Sequence, residues 1–296
     1  MKKRIVGITL LLCLGVLMSG CGGGAVDSQV PLEKVTFSNL TEEETQAEVA
    51  ALMSDAGISD VRQEVFFDHV DQFNETVSTE SLTTGYEEAG ILDTKYDPYT
   101  MQNEWVAKQQ DFLGYNCRIT AYSLFGDFIA IPMEEEVRDD MILMDLNALE
   151  EDPSAMKLVD GDAERFKVLY STIPTEATKD IETHVNKVCG DWHARGIRFP
   201  GNDKASLITV WFHEQFDEDY LFIGHTGVLF EGEDGLYFVE KLAFQEPYQV
   251  CKFKNRTELS DYLMTKYDLS YDQPTAAPFI MENDQLMEGY RENPNK

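Results

Sequence analysis

The stretch that most constrains this chain is residues 221–242, which read LFIGHTGVLF, then EGEDG, then LYFVEKL. Two apolar, aromatic arms flank an acidic turn bounded by glycines, and a pair of antiparallel strands is the simplest structure for that pattern. With Glu233 and Asp234 as the central turn residues, Gly227 faces Glu240 and Leu242 faces His225. Side chains alternate between the faces of a strand, so this register puts His225 and Glu240 on one face as diagonal neighbours. A slip of one residue would separate them, and Gln245 or Glu246, in the FQEPY segment that follows, would then replace Glu240. A histidine beside a carboxylate has a set tautomer and a raised pKa, the arrangement that orients a general base for a nucleophile elsewhere.

The candidate nucleophile is Cys117, in GYNCRITAYSLF. Gly114 breaks the preceding helix, Asn116 is suited to cap the next, and a helix over 117–128 carries Cys117 in its first turn. There the unpaired backbone N–H groups favour a thiolate, and Arg118 adds a positive neighbour. The same residues have a second reading. Cys117, Ala121, Leu124 and Phe128 trace the buried face of an amphipathic helix, on which the thiol would be inert, and His225 would be a tucked strand histidine bonded to backbone.

Residues 1–20 combine a basic head (Lys2, Lys3, Arg4), a short apolar run and a small-residue end, the layout of a secretory signal. Met18-Ser19-Gly20-Cys21 resembles a bacterial lipobox, which implies that Cys21 becomes the lipidated first residue. Residues 21–34 then read as a tether and 35–296 as a single α+β domain. The expected location is extracytoplasmic, lipid-anchored to a bacterial cell membrane. The chain carries 24 basic and 54 acidic residues; loss of 1–20 removes three basic and no acidic ones, so the net charge moves from -30 to -33. Such a surface repels nucleic acid and anionic headgroups, so the membrane partner is reached through the lipid on Cys21 and no nucleic-acid partner is expected. Beyond Cys13 and Cys21, three cysteines remain: Cys117, Cys189 and Cys251. That odd count fits one disulfide plus a free thiol, or three free thiols.

The first half reads as helices. Thr41-Glu42-Glu43-Glu44 resembles a capping box opening a helix that ends at Gly57; Ser59 opens a second, with Val61, Val65, Phe66, His69 and Phe73 on one face. His69 reads as a core or boundary histidine. Asp97-Pro98 starts a third helix. Residues 133–165 are very acidic and read as an insertion on the domain edge, and 175–195 form a further helix carrying His184, Cys189 and His193. Cys189 and His193 at i, i+4 supply only two ligands and His184 lies on another face, so no metal is expected. No P-loop, dinucleotide glycine fingerprint or HExxH is present, and no cofactor is expected. After residue 205 the period changes to that of strands in close succession, an antiparallel meander, followed by a helix capped at Thr257 and an irregular proline-bearing tail. The fold class is therefore α+β, N-terminal helices packed on a C-terminal antiparallel sheet.

A helix that begins at a cysteine, followed by a strand carrying Gly-His-Thr-Gly-Val-Leu-Phe, resembles the NlpC-type papain-like cysteine hydrolases, bacterial cell-wall peptidases and amidases. The resemblance implies a papain-like fold in which Cys117 is the nucleophile, His225 the base and Glu240 the residue that orients it, in that chain order. It departs at Arg118, where a small residue is usual, in the long interval from Cys117 to His225, and in the glutamate at the third position. Over nearly the whole remaining chain, FSNLTEEE, GYNCRITAYSL, LFIGHTGVLF, EKLAFQEPYQ, KFKNRTELSDYLM and QPTAAPFIMENDQLMEGY resemble a family of Gram-positive lipoproteins known only as a domain of unknown function.

Two functions follow as expectations. One is a cysteine hydrolase acting on envelope acyl or peptide bonds. The other is a non-enzymatic surface module that binds a cell-wall or envelope peptide or protein, with Cys117 buried and inert. The first requires the Cys117 sulfur within reach of the His225 ring in a cleft open to solvent; a buried sulfur, or one more than about 7 Å from the ring, would sink it.

Overall fold

The computed structural model describes residues 30–132, 138, 140–156, 160–269 and 271–296. The signal segment, Cys21 and the tether to residue 29 lie outside the described residues, as do 133–137, 139 and 157–159 of the acidic stretch. In chain order the elements are β1 (Lys34–Ser38), α1 (Glu43–Asp55), α2 (Asp60–Thr76), β2 (Glu87–Gly90), α3 (Pro98–Gln109), α4 (Cys117–Phe125), α5 (Leu143–Glu151) and α6 (Asp162–Tyr170). There follow β3 (Ile173–Pro174), α7 (Ile181–Ala194), β4 (Ala205–Gln215), β5 (Asp219–Gly232), β6 (Gly235–Lys241), β7 (Tyr248–Phe253), α8 (Arg256–Tyr267), β8 (Phe279–Glu282) and β9 (Gln285–Leu286). The class is α+β, with most helices preceding one nine-stranded sheet. Its main path runs β2-β1-β7-β6-β5-β4-β8-β9, with β3 beside β5, and the named pairings are antiparallel.

The meander is β4 to β7, as its period predicts, but the sheet is wider than the late strands alone. β1 pairs with β7 and β8 with β4, so both ends of the domain are sewn into the sheet. Both faces are covered, which is why β5 and β6 are apolar at nearly every position. Val228, Phe230 and Val239 enter a core shared with α1, α2, α4, α6 and α7. Leu229 and Phe238, one residue out of phase, enter a second core with Leu259, Tyr262 and Leu263 of α8.

The β5–β6 register is the expected one, with Gly227 opposite Glu240 and Gly232 opposite Gly235 around Glu233 and Asp234. Gly235 has φ +142°, and a Cβ there would meet the Phe253 carbonyl oxygen at 2.6 Å, so the turn requires glycine. The ladder stops at Gly227–Glu240, so the expected Leu242–His225 pair does not form. Leu242 instead donates its N–H to the Pro247 carbonyl at 3.2 Å and turns the chain toward β7.

Several local expectations are corrected. The first helix is capped at Glu42, because the Thr41 hydroxyl donates to the Thr83 carbonyl at 2.8 Å. The last helix is capped by Asn255, whose side chain accepts from Glu258 N at 3.0 Å, rather than by Thr257. On α2, Val61 is exposed and Arg62 is buried, its charge met by Asp127 at 2.8 Å and Asp162 at 3.2 Å. The described part of the acidic stretch is not an edge decoration: Ile142, Ala148, Leu149, Ala155 and Met156 join the main core.

Candidate active site

Three elements deliver the three predicted residues. Asn116 caps α4 with its side-chain oxygen 3.1 Å from Ile119 N, which starts the helix at Cys117 and leaves the amides of Cys117 and Arg118 outside the cap. On β5, the pairing with β4 shifts between Val210, opposite His225, and Trp211, opposite Ile223. Gly224 is the extra residue of this bulge, and a Cβ on it would lie 2.4 Å from the Phe212 ring. The bulge puts His225 on the face that Phe222 occupies, since their partners Val210 and Phe212 are two residues apart on β4. Glu240 stands on that same face, at the last position of β6 that pairs with β5.

The three side chains converge. His225 Nε2 lies 2.5 Å from Glu240 Oε2, and the Cys117 thiol and the His225 ring are close enough to shift each other's pKa. With Nε2 engaged by the carboxylate, Nδ1 is the nitrogen left for the thiol. Tyr267 of α8 stacks on the imidazole, ring centroids 4.7 Å apart at 24°. Gln245 and Glu246 do not take the place of Glu240; the Glu246 carboxylate accepts from Tyr96 Oη at 2.7 Å.

The electrostatics follow from this placement. Burial pushes the Cys117 thiol up, but the His225 charge and hydrogen bond, with Arg118 behind them, outweigh it and bring the thiol below its usual value. Burial works against a charged His225, yet Cys117 and Glu240 on its two sides push it up to about 9. Burial would raise Glu240, and its bond and attraction to His225 hold it down to about 2. The state these shifts favour is thiolate, imidazolium and carboxylate in a row.

Arg118 departs from the small residue of the resembling family, and its role is visible. Its guanidinium forks onto Asp145 of α5, Nε to Oδ1 at 2.8 Å and Nη2 to Oδ2 at 2.6 Å, and Nη1 donates to the Ile223 carbonyl at 3.0 Å. Asp145 also accepts from Asn116 Nδ2 at 2.8 Å, so the acidic stretch is bolted to both neighbours of Cys117. The site is covered: Cys117 is 6 % exposed, His225 1 % and Glu240 0 %. The catalytic reading asks for a cleft open to solvent, and the sulfur is buried.

Besides Asp145 and Tyr267, two residues behind Glu240 were not singled out from the sequence as site residues. Glu240 Oε1 accepts from Gln249 Nε2 at 2.6 Å and from Tyr262 Oη at 2.5 Å. Gln249 is cross-strand from Glu240, so the hairpin logic extended by one strand would have found it; Tyr262 comes from α8 and has no such local signal. Adjacent to Glu240 but on the opposite face, Lys241 lies 4.0 Å from the Phe73 ring centroid and donates to the carbonyls of Ala243, Phe244 and Glu246, pinning the β6–β7 turn.

Cys251 lies behind the site, its Sγ 3.9 Å from Glu240 Oε1, while His69, His184 and Cys189 are engaged elsewhere. His69 Nε2 is 3.2 Å from Ser154 Oγ, and burial brings its pKa down to about 4 despite Asp152 and Asp68. His184 accepts from Thr175 Oγ1 at 2.8 Å and donates to the Thr178 carbonyl at 2.9 Å, while Cys189 donates to the Asp284 carbonyl. Cys117, Cys189 and Cys251 are all free thiols. Among the described residues no group of three or more His, Cys, Asp or Glu side chains is arranged to hold a metal, and no helix is long and apolar enough to cross a membrane.

Compared with known families, residues 36–287 match the profile of a domain of unknown function (DUF4300). No curated protein and no solved structure matches the chain.

Proposed function

Since the chain belongs to the DUF4300 family, whose function is unknown, we propose its activity from the site itself: a membrane-anchored, extracytoplasmic cysteine hydrolase of papain-like type, acting on envelope acyl or peptide bonds. The observation that carries this reading is the Cys117–His225–Glu240 row, a thiol at a helix start beside a histidine bonded at 2.5 Å to a buried carboxylate. Three ionisable groups in contact in a protein interior are costly to keep unless they are used, and sites of reaction are where such shifted groups gather.

In the reaction, His225 holds the Cys117 proton and the thiolate attacks the acyl carbon. The amides of Cys117 and Arg118 face the developing oxyanion, which collapses to a thioester as the leaving amine takes the proton from His225. Water, deprotonated by His225, then cleaves the thioester, releasing the acid and restoring the thiol. Glu240 holds the imidazole in the tautomer that points Nδ1 at sulfur and stays an anion throughout.

A single reactive ester tests this. Full-length protein treated with p-nitrophenyl acetate should gain one acetyl mass at Cys117, and His225→Ala should lose it; acetylation elsewhere, or none, overturns the hydrolase reading. The anchor rests on the lipobox around Cys21, and Cys21→Ala should move the protein from the detergent phase to the aqueous phase. The burial of Cys117 favours a second reading, a non-enzymatic surface domain that binds an envelope peptide or protein, in which the row is structural. Under it no adduct forms.

A further inference from the structure

The Glu240 carboxylate is held from behind by a group that belongs to neither strand of the hairpin. The Tyr262 hydroxyl donates to Glu240 Oε1 at 2.5 Å, accepts from Gln249 Nε2 at 2.7 Å, and lies 3.3 Å from the Lys266 ammonium one helical turn along α8. Gln249 Nε2 itself reaches the same Oε1 at 2.6 Å. Both donors therefore sit on Oε1, and Oε2 is the oxygen left facing His225. Tyr262 is 1 % exposed, so its hydroxyl has no water to fall back on and is oriented by these contacts alone. The ring also packs on Phe253, centroids 5.4 Å apart, which keeps the hydroxyl in place.

We propose that Tyr262 is a positioning residue for the Cys117–His225 pair: seated by Gln249 and Lys266, it locks the Glu240 carboxylate so that Oε2 stays on His225 Nε2. This rests on the site reading above and adds α8 to it. The same helix supplies Tyr267, the ring stacked on His225, so the docking of α8 sets both the anion and the flat face of the imidazole. With one lock removed the carboxylate can rotate about its terminal bond. Oε2 then leaves the ring for part of the time, and His225 loses the charge that keeps Cys117 a thiolate.

The test uses the full chain in detergent, as wild type, Tyr262→Phe, Lys266→Met and His225→Ala. The His225 ring is titrated by NMR, with His225→Ala giving the assignment, and the iodoacetamide rate at Cys117 is followed against pH by peptide mass spectrometry. Tyr262→Phe removes one oxygen and keeps the ring, and Lys266→Met, at the edge of the network, keeps the question answerable if the first variant folds poorly. The expected result is a lower His225 pKa and a several-fold slower Cys117 alkylation at neutral pH in Tyr262→Phe, with a smaller change of the same sign in Lys266→Met, whatever the effect on melting temperature. An activated wild-type thiol with unchanged titrations in both variants overturns the positioning role and leaves the site reading standing. A wild-type thiol that ignores His225→Ala overturns both.

Discussion

Glu240 and His225 bond across the point where their two strands part company. The β5–β6 ladder ends at Gly227–Glu240, so His225 is free of a cross-strand partner on that side while its ring still reaches back to the carboxylate at 2.5 Å. A paired histidine there would have its backbone tied to β6. Instead the end of the ladder leaves room beside His225 for the start of α4 and its cysteine.

Removal of the anion is the first prediction. In Glu240→Gln the amide cannot stabilise a positive imidazole, and the His225 pKa should fall from near 9 by about one to three pH units. NMR titration of the ring measures it directly; an unchanged titration would mean that Glu240 does not set the charge of His225.

Stability should follow the same pair. Glu240 is depressed to about 2 in the fold, so its contribution is complete above its ordinary 4.5 and is lost as pH falls toward 2. His225 is raised to about 9, so its contribution is complete below its ordinary 6.5 and is lost as pH rises through 9. Urea midpoints collected from acid to alkali should therefore fall at both ends, and Glu240→Gln should flatten both arms; superimposable profiles would refute the linkage.

The bulge gives a third prediction. Gly224→Ala places a methyl group 2.4 Å from the Phe212 ring, and such overpacking costs about 1–3 kcal/mol. Relief by straightening the bulge would turn His225 away from Glu240. Denaturation should register the loss of stability, and a His225 titrating near its ordinary value would register the lost contact.

These residues also mark what could and could not be read from the chain. The hairpin register was legible because a two-residue acidic turn between glycines leaves one way to align the arms, and it carried Glu240 to His225 correctly. The α4 start was legible because Asn116 and Gly114 punctuate it. The Gly224 bulge was not, since it depends on how β4 and β5 meet and no turn residue announces it. Tyr262 and Asp145 were also hidden. Each reaches the site from an element far along the chain, and each looks locally like any helix residue.

Asp145 carries the fourth prediction. It is fully buried against Arg118, and Asp145→Ala would leave the guanidinium without its counter-charge at a cost of about 3–5 kcal/mol. Chemical denaturation should detect that loss; a change below about 1 kcal/mol, the value of an exposed pair, would mean that the clamp over α4 is not tight.

The central claim is that Cys117 and His225 form an activated pair, and the pH dependence of Cys117 alkylation measures that most directly. In the full-length protein Cys117 should react below the ordinary thiol value of about 8.5, and His225→Ala should abolish that reactivity, with Cys189, whose thiol burial pushes up, as the contrasting internal thiol. A Cys117 that stays unreactive at every pH, or that reacts identically without His225, would contradict the account and leave the buried row as a piece of structure.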